Sequence, residues 1–104
     1  MTVEVVIQPE AEDDLREAYL WYEARRTGLG DAMMDEADLA FKRIVDAPAR
    51  PRALHRGSRR FPLRRFPYVV IYLLRGDRVY VLGVLHERRN PRLFRSRVRH
   101  FGDA

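Results

Sequence analysis

Two β-forming runs, residues 67–75 and 78–86, are separated only by Gly76-Asp77 and have no polar face between them. A two-residue, glycine-containing loop between such runs closes a β-hairpin. Setting Arg75 opposite Arg78 places Tyr72 opposite Val81 and Tyr68 opposite Leu85. Side chains alternate along a strand. One face then carries Val69, Ile71, Leu73, Tyr80, Leu82, Val84 and His86, and the other Tyr68, Val70, Tyr72, Leu74, Val79, Val81, Gly83 and Leu85. Both faces are apolar, so both must be at least partly covered. A helical pair can cover one face. The aromatic face with Gly83 is the one expected to receive a partner.

The N-terminal half supplies the helices. Residues 2–8 are short and β-branched and read as a strand. Pro9 suits the first turn of a helix, and Glu10, Glu12, Asp13 and Asp14 suit the positive end of its dipole. Ala11, Leu15, Ala18, Tyr19 and Tyr22 mark one apolar stripe, with Gly28 as its stop. The acidic residues of this helix are expected to face solvent. A second helix begins near Gly30-Asp31 with Met33, Ala37, Ala40, Phe41 and Ile44 as its stripe, and Pro48 and Pro51 end it. So short a connection makes the two an antiparallel helical hairpin. Residues 49–58 read as a loop and 59–65 as a short strand carrying Phe61 and Leu63. From about residue 91 the chain reads as a short Arg-rich helix or a flexible tail. The order β-α-α-β-β-β is an α+β fold, with an N-terminal helical hairpin on a small, mostly antiparallel sheet.

A chain of 104 residues fits one domain, residues 1–104. It has no cysteine, so a disulfide framework, a thiol nucleophile and a Cys-based zinc site are excluded. The longest apolar run, Tyr68 to Leu74, is far short of the ~20 residues of a membrane span. The start Met-Thr-Val-Glu has no basic stretch or cleavage signal, so the expected location is cytoplasmic.

Charge divides the chain. Residues 1–49 carry 12 acidic and 5 basic side chains, net −7; residues 50–104 carry 15 basic and 3 acidic, net +12. The basic residues are all Arg except Lys42, and Arg forms planar, two-pronged contacts to phosphate and carboxylate. An acidic partner or a phosphate backbone on the C-terminal half is implied.

The candidate site follows from the hairpin. Arg64, Arg65, Arg88 and Arg89 gather near one end of it, with Tyr68 and His86 at the strand ends. These are candidate target or phosphate contacts, and Arg65 and His86 are the candidate catalytic pair, one able to stabilise charge and the other to move a proton. His55 and His100 have no metal-ligand spacing with His86, and no metal is expected. There is no Gly-rich phosphate loop, and no cofactor is expected. Trp21 and Leu39 fall off the apolar stripes. With Tyr72 they are candidate contacts for a protein partner.

The segment Arg65-Phe66-Pro67-Tyr68-Val69-Val70-Ile71-Tyr72, with Val81-Leu82-Gly83-Val84-Leu85-His86-Glu87-Arg88-Arg89-Asn90-Pro91, resembles the RelE/ParE superfamily of bacterial toxins. The helical hairpin beginning Pro9-Ala11-Asp14-Leu15 is similar too, so the resemblance spans roughly residues 3–97. It implies the toxin of a type II toxin–antitoxin pair, held in a hetero-oligomer by a small antitoxin with an acidic, amphipathic segment. RelE-like members cut mRNA on the ribosome with strand Arg residues and a His or Tyr. ParE-like members are described as inhibitors of DNA gyrase. The single Lys, and Phe94 where RelE-like nucleases often carry Tyr, set the chain nearer the ParE side. A ribosome-dependent mRNA endonuclease and a stand-alone nucleic-acid-binding domain are the alternatives.

Overall fold

The computed structural model describes residues 3–89 and 91–102. Thr2 of the expected first strand and Asn90 of the family-like segment lie outside the described residues. The elements are β1 (Glu4–Ile7), α1 (Pro9–Arg25), α2 (Leu29–Asp46), a 3-10 turn at His55–Gly57, β2 (Arg59–Pro62), β3 (Tyr68–Arg75), β4 (Arg78–His86) and α3 (Pro91–Gly102). The sheet order is β1-β4-β3-β2; β1 runs parallel to β4 and the other pairs are antiparallel. This is the α+β arrangement expected, with α3 added at the C-terminal end. The strand expected over 59–65 stops at Pro62, and Leu63 is buried beyond its end.

Helices α1 and α2 pack on one face of the sheet. Ala11, Leu15, Ala18, Met33, Ala37, Ala40 and Ile44 are buried there against Val70, Tyr72, Val79, Val81 and Val84. Phe41 lies at the margin of this core, only partly buried, so the α2 stripe is narrower than its sequence spacing suggests. The link between the helices is fastened by Glu23, whose carboxylate accepts from the Gly28 and Gly30 N–H groups at 3.0–3.1 Å. Gly30 is required by close approach: a Cβ there would sit 2.8 Å from the Tyr19 carbonyl oxygen.

The hairpin register holds at its turn end and changes beyond it. Arg75 pairs with Arg78 and Tyr72 with Val81, but Ile71 pairs with Gly83, leaving Leu82 as the extra residue of a bulge. Tyr68 is consequently opposite His86, not Leu85. One inserted residue moves every later side chain to the other face. Val84 joins the core under the helical hairpin, and Leu85 joins the opposite core.

The aromatic face is therefore not open to a partner. Helices α1 and α2 cover it. The opposite face is covered by α3, whose Phe94 and Val98 pack with Ile71, Leu73, Leu82 and Leu85. Tyr72, an expected partner contact, is fully buried among the core residues, and its hydroxyl donates to the Pro48 carbonyl at 2.8 Å. It anchors the loop after α2 and offers no contact surface.

Candidate functional site

One end of α1 and the far ends of β3 and β4 enclose an open cleft of about 540 Å³. Helix α1 contributes Glu17, Trp21 and Tyr22; the strand ends contribute Tyr68, His86, Arg88 and Arg89. The aromatic rings form an edge-to-face series. Trp21 and Tyr22 lie 4.9 Å apart, Tyr22 and Tyr68 6.1 Å, and Tyr68 and His86 5.4 Å between ring centres. Phe66 backs the series from below, 4.9 Å from Tyr22. Trp21 is 49% exposed, and the Arg25 guanidinium stacks over its ring at 3.2 Å. Such stacking holds the indole in place while leaving apolar area for a partner.

The His86 ring is oriented by its own chain. The Arg88 N–H donates to His86 Nδ1 at 3.1 Å. With Nδ1 accepting, the neutral ring carries its proton on Nε2, an assignment inferred from that bond. The Tyr68 phenol is held above the usual tyrosine range. Burial is the main cause, Tyr22, Asp14 and Glu17 add to it, and Arg89 opposes it. Tyr68 thus stays protonated near neutral pH, which suits its phenol to donating a hydrogen bond and not to acting as a base.

The buried Tyr72 and the partly buried Tyr22 and Tyr68 also set an alkaline limit on stability. Burial is the leading cause of raised pKa values at Tyr22, Tyr68 and Tyr72. A group whose folded pKa is raised retains its proton in the fold after the unfolded chain has lost it. Stability is then complete below about pH 10 and falls as pH rises above it. The denaturant midpoint should hold up to about pH 10 and fall from there to about pH 11, less steeply in Tyr72→Phe. A midpoint unchanged over that interval would contradict this account.

A buried ion pair fixes the back wall. Asp14 meets Arg97 of α3 in a two-pronged contact, Arg97 Nη1 to Asp14 Oδ2 at 2.7 Å and Nη2 to Oδ1 at 2.8 Å. Asp14 Oδ2 also accepts from the Val84 N–H at 3.0 Å, and Arg97 Nη1 donates to the Leu82 carbonyl at 3.0 Å. Strand β1 ends at Ile7, opposite Val81. The pair bonds the backbone groups of β4 just past that point, where the bulge lies, and ties α1 to α3 across the sheet edge. Gly83 makes room for it: a Cβ there would lie 2.9 Å from Arg97 Nη1 and 3.3 Å from Asp14 Oδ2. The carboxylate raises the Arg97 pKa still further, so the guanidinium is charged at every ordinary pH. The expectation that the acidic residues of α1 face solvent is corrected at Asp14. The signal is present in the chain, because Asp14 follows Ala11 by three residues and precedes Ala18 by four, inside the apolar stripe.

Of the expected site residues, Tyr68, His86, Arg88, Arg89 and Trp21 share the cleft. Arg64 and Arg65 are exposed in the loop before β3 and do not line it; the Arg65 N–H donates to Glu36 of α2 at 3.0 Å. Leu39 is 39% exposed on α2, also outside the cleft. Among the described residues no His, Asp or Glu cluster suits a metal ion. No helix among them is long and apolar enough to cross a membrane.

Residues 5–91 match the family model described as the ParE toxin of the type II toxin–antitoxin system, parDE. The chain belongs to this family. It is thus a toxin of the type II class within the RelE/ParE superfamily. Solved structures share the fold. A chain from the chromosomal ParDE toxin–antitoxin system of P. aeruginosa superposes with a TM-score of 0.70 at 15% identity, covering 82% of this chain and 96% of that one. A chain from the RelBE2 toxin–antitoxin complex of Mycobacterium tuberculosis gives a TM-score of 0.59 at 21% identity, covering 83% and 99%. A comparison with curated protein sequences gave no match.

Proposed function

We propose that this toxin acts by binding DNA gyrase through the aromatic cleft, breaking no bond itself, and that a cognate antitoxin neutralises it by occupying the same cleft. The observation that carries the reading is that Trp21, the proposed antitoxin anchor, lines the same cleft as Tyr68, Arg88 and Arg89, the proposed target contacts. An acidic, amphipathic segment laid on Trp21 would cover the cationic rim as well, and Leu39 would extend its contact along the helical hairpin. The binding mechanism is supported by the lining of the cleft, which includes His86 but not Arg65, the expected charge-stabilising group.

The endonuclease reading keeps one specific support: His86, the Tyr68 phenol, Arg88 and Arg89 are together in one cleft. The two readings part on mutation. A nuclease typically slows about 10²–10³-fold when one such group is removed. A binding toxin weakens only by what the removed side chain contributes to the interface, about 1–2 kcal/mol for a peripheral group. His86→Ala should therefore stay largely toxic when expressed without antitoxin. Replacing Arg88 and Arg89 together should weaken growth arrest more. Purified toxin should inhibit gyrase supercoiling and leave mRNA on translating ribosomes intact. A wild type that cleaves ribosome-bound mRNA, with both cleavage and toxicity abolished in soluble, folded His86→Ala, would establish the nuclease instead.

A further inference from the structure

Helix α3 has a second side that the cleft does not use. The segment Pro91–Gly102 contains four arginines and no acidic residue. Arg97 turns inward to Asp14. Arg92, Arg95 and Arg99 are exposed, at spacings of three and four that set them on one stripe. Arg60 of edge strand β2 joins them, its guanidinium lying 4.5 Å over the Phe94 ring. His55 of the 3-10 turn, Arg60 and Arg95 line one small dent between turn, strand and helix. The result is a cationic ridge on the face of the sheet opposite α1 and α2.

We propose that this ridge binds the phosphate backbone of double-stranded nucleic acid. Its chemistry separates that partner from an acidic protein segment. A folded peptide contact needs apolar anchors at its centre with charges around them. Of the large exposed apolar groups among the described residues, Leu20, Trp21 and Leu39 stand on α1 and α2, and the ridge has near it only Leu54, which precedes His55 in the chain. The exposed stripe of α3 presents guanidinium groups. A duplex backbone requires only positive charge held in line. Residues 92 to 99 extend about 10 Å along the helix axis. A duplex carries one charge per about 1.7 Å of its axis, so several phosphates face the ridge at once. Arginine also meets phosphate oxygens in a two-pronged fashion. The contact is independent of the cleft. A toxin directed at an enzyme that handles DNA would in this way hold the nucleic acid and the enzyme on different faces.

The test is fluorescence anisotropy of a short labelled duplex titrated with the full-length toxin at increasing salt. Four phosphate contacts give a slope of log K against log salt near about −3.6, a fall of about 10²-fold between 50 and 200 mM. The double variant Arg95→Glu, Arg99→Glu should flatten the slope by about two and bind at least about tenfold more weakly at low salt. Both positions are exposed, and its thermal melt should match the wild type, confirming that the fold is intact. Trp21→Ala should bind the duplex as tightly as the wild type, which separates failure of the ridge from failure of the cleft. An unchanged slope in the double variant would overturn the proposal. So would a slope that flattens only on replacing Arg88 and Arg89, or equal affinity and equal salt dependence for a poly-glutamate chain.

Discussion

Replacing Asp14 with Ala should destabilise the fold by about 3–5 kcal/mol, the range for breaking a buried ion pair by removing one member. Asp14 and Arg97 side chains are only 9% and 16% exposed, so the guanidinium left behind has little water to turn to. The Val84 N–H loses its acceptor at the same time. Leaving a buried donor without a partner adds to the cost. The effect should exceed that of Glu12→Ala, an exposed change on the same helix, by several fold in denaturant titrations. Arg97→Met is the informative companion. It strands the carboxylate rather than the guanidinium, but Met fills part of the vacated volume. If the double variant Asp14→Leu, Arg97→Met recovers most of the stability, the pair serves to position α3 rather than to stabilise the fold. Equal small effects for Asp14→Ala and Glu12→Ala would show that the clamp contributes little.

The elements are legible in the sequence where local chemistry decides them. The Gly76-Asp77 turn, Pro9 at the start of α1 and the stripes of both helices act over a few residues, and each appears where its signal stands. The far end of the hairpin is not legible. A bulge at Leu82 leaves no mark in an apolar run that reads the same in either register, and it exchanges the faces of Val84, Leu85 and His86. The partner face is misplaced for a related reason. Its assignment takes α1 and α2 as the only cover and leaves Tyr72 open, whereas α3 closes the second face. Asp14 shows a different failure. Its place inside the apolar stripe marks the residue as buried, but the groups that compensate that burial, the Val84 N–H and the Arg97 guanidinium, lie 70 and 83 residues away. Contacts of that range do not show in a periodicity. The cleft itself is half visible. The strand-end residues Tyr68, His86, Arg88 and Arg89 fall together by pairing alone, while Glu17 and Tyr22 enter through the packing of α1 across the sheet.

Trp21→Ala should weaken antitoxin binding by about 2–4 kcal/mol, which is roughly 30-fold to 10³-fold in Kd. The indole is half exposed in the toxin alone, so it has area to bury, and the Arg25 stack fixes its position before a partner arrives. A preformed aromatic anchor loses less freedom on binding than a mobile one. Tyr22 supports it edge-on from inside the cleft. The substitution should leave the fold intact, since the ring stands outside the buried core. Calorimetric titration of the purified toxin with its antitoxin gives the affinity directly, and a thermal melt of each variant checks folding. Arg25→Ala should cost less, because it loosens the anchor without removing it. Leu39→Ala, farther along the helical hairpin, should cost less again. Salt separates the parts of the contact. Raising it should slow association by screening the Arg88 and Arg89 rim, and the Trp21 contribution should persist because apolar burial does not depend on charge. A Trp21→Ala toxin that binds its antitoxin as tightly as the wild type would move the anchor elsewhere and end the shared-cleft account of neutralisation.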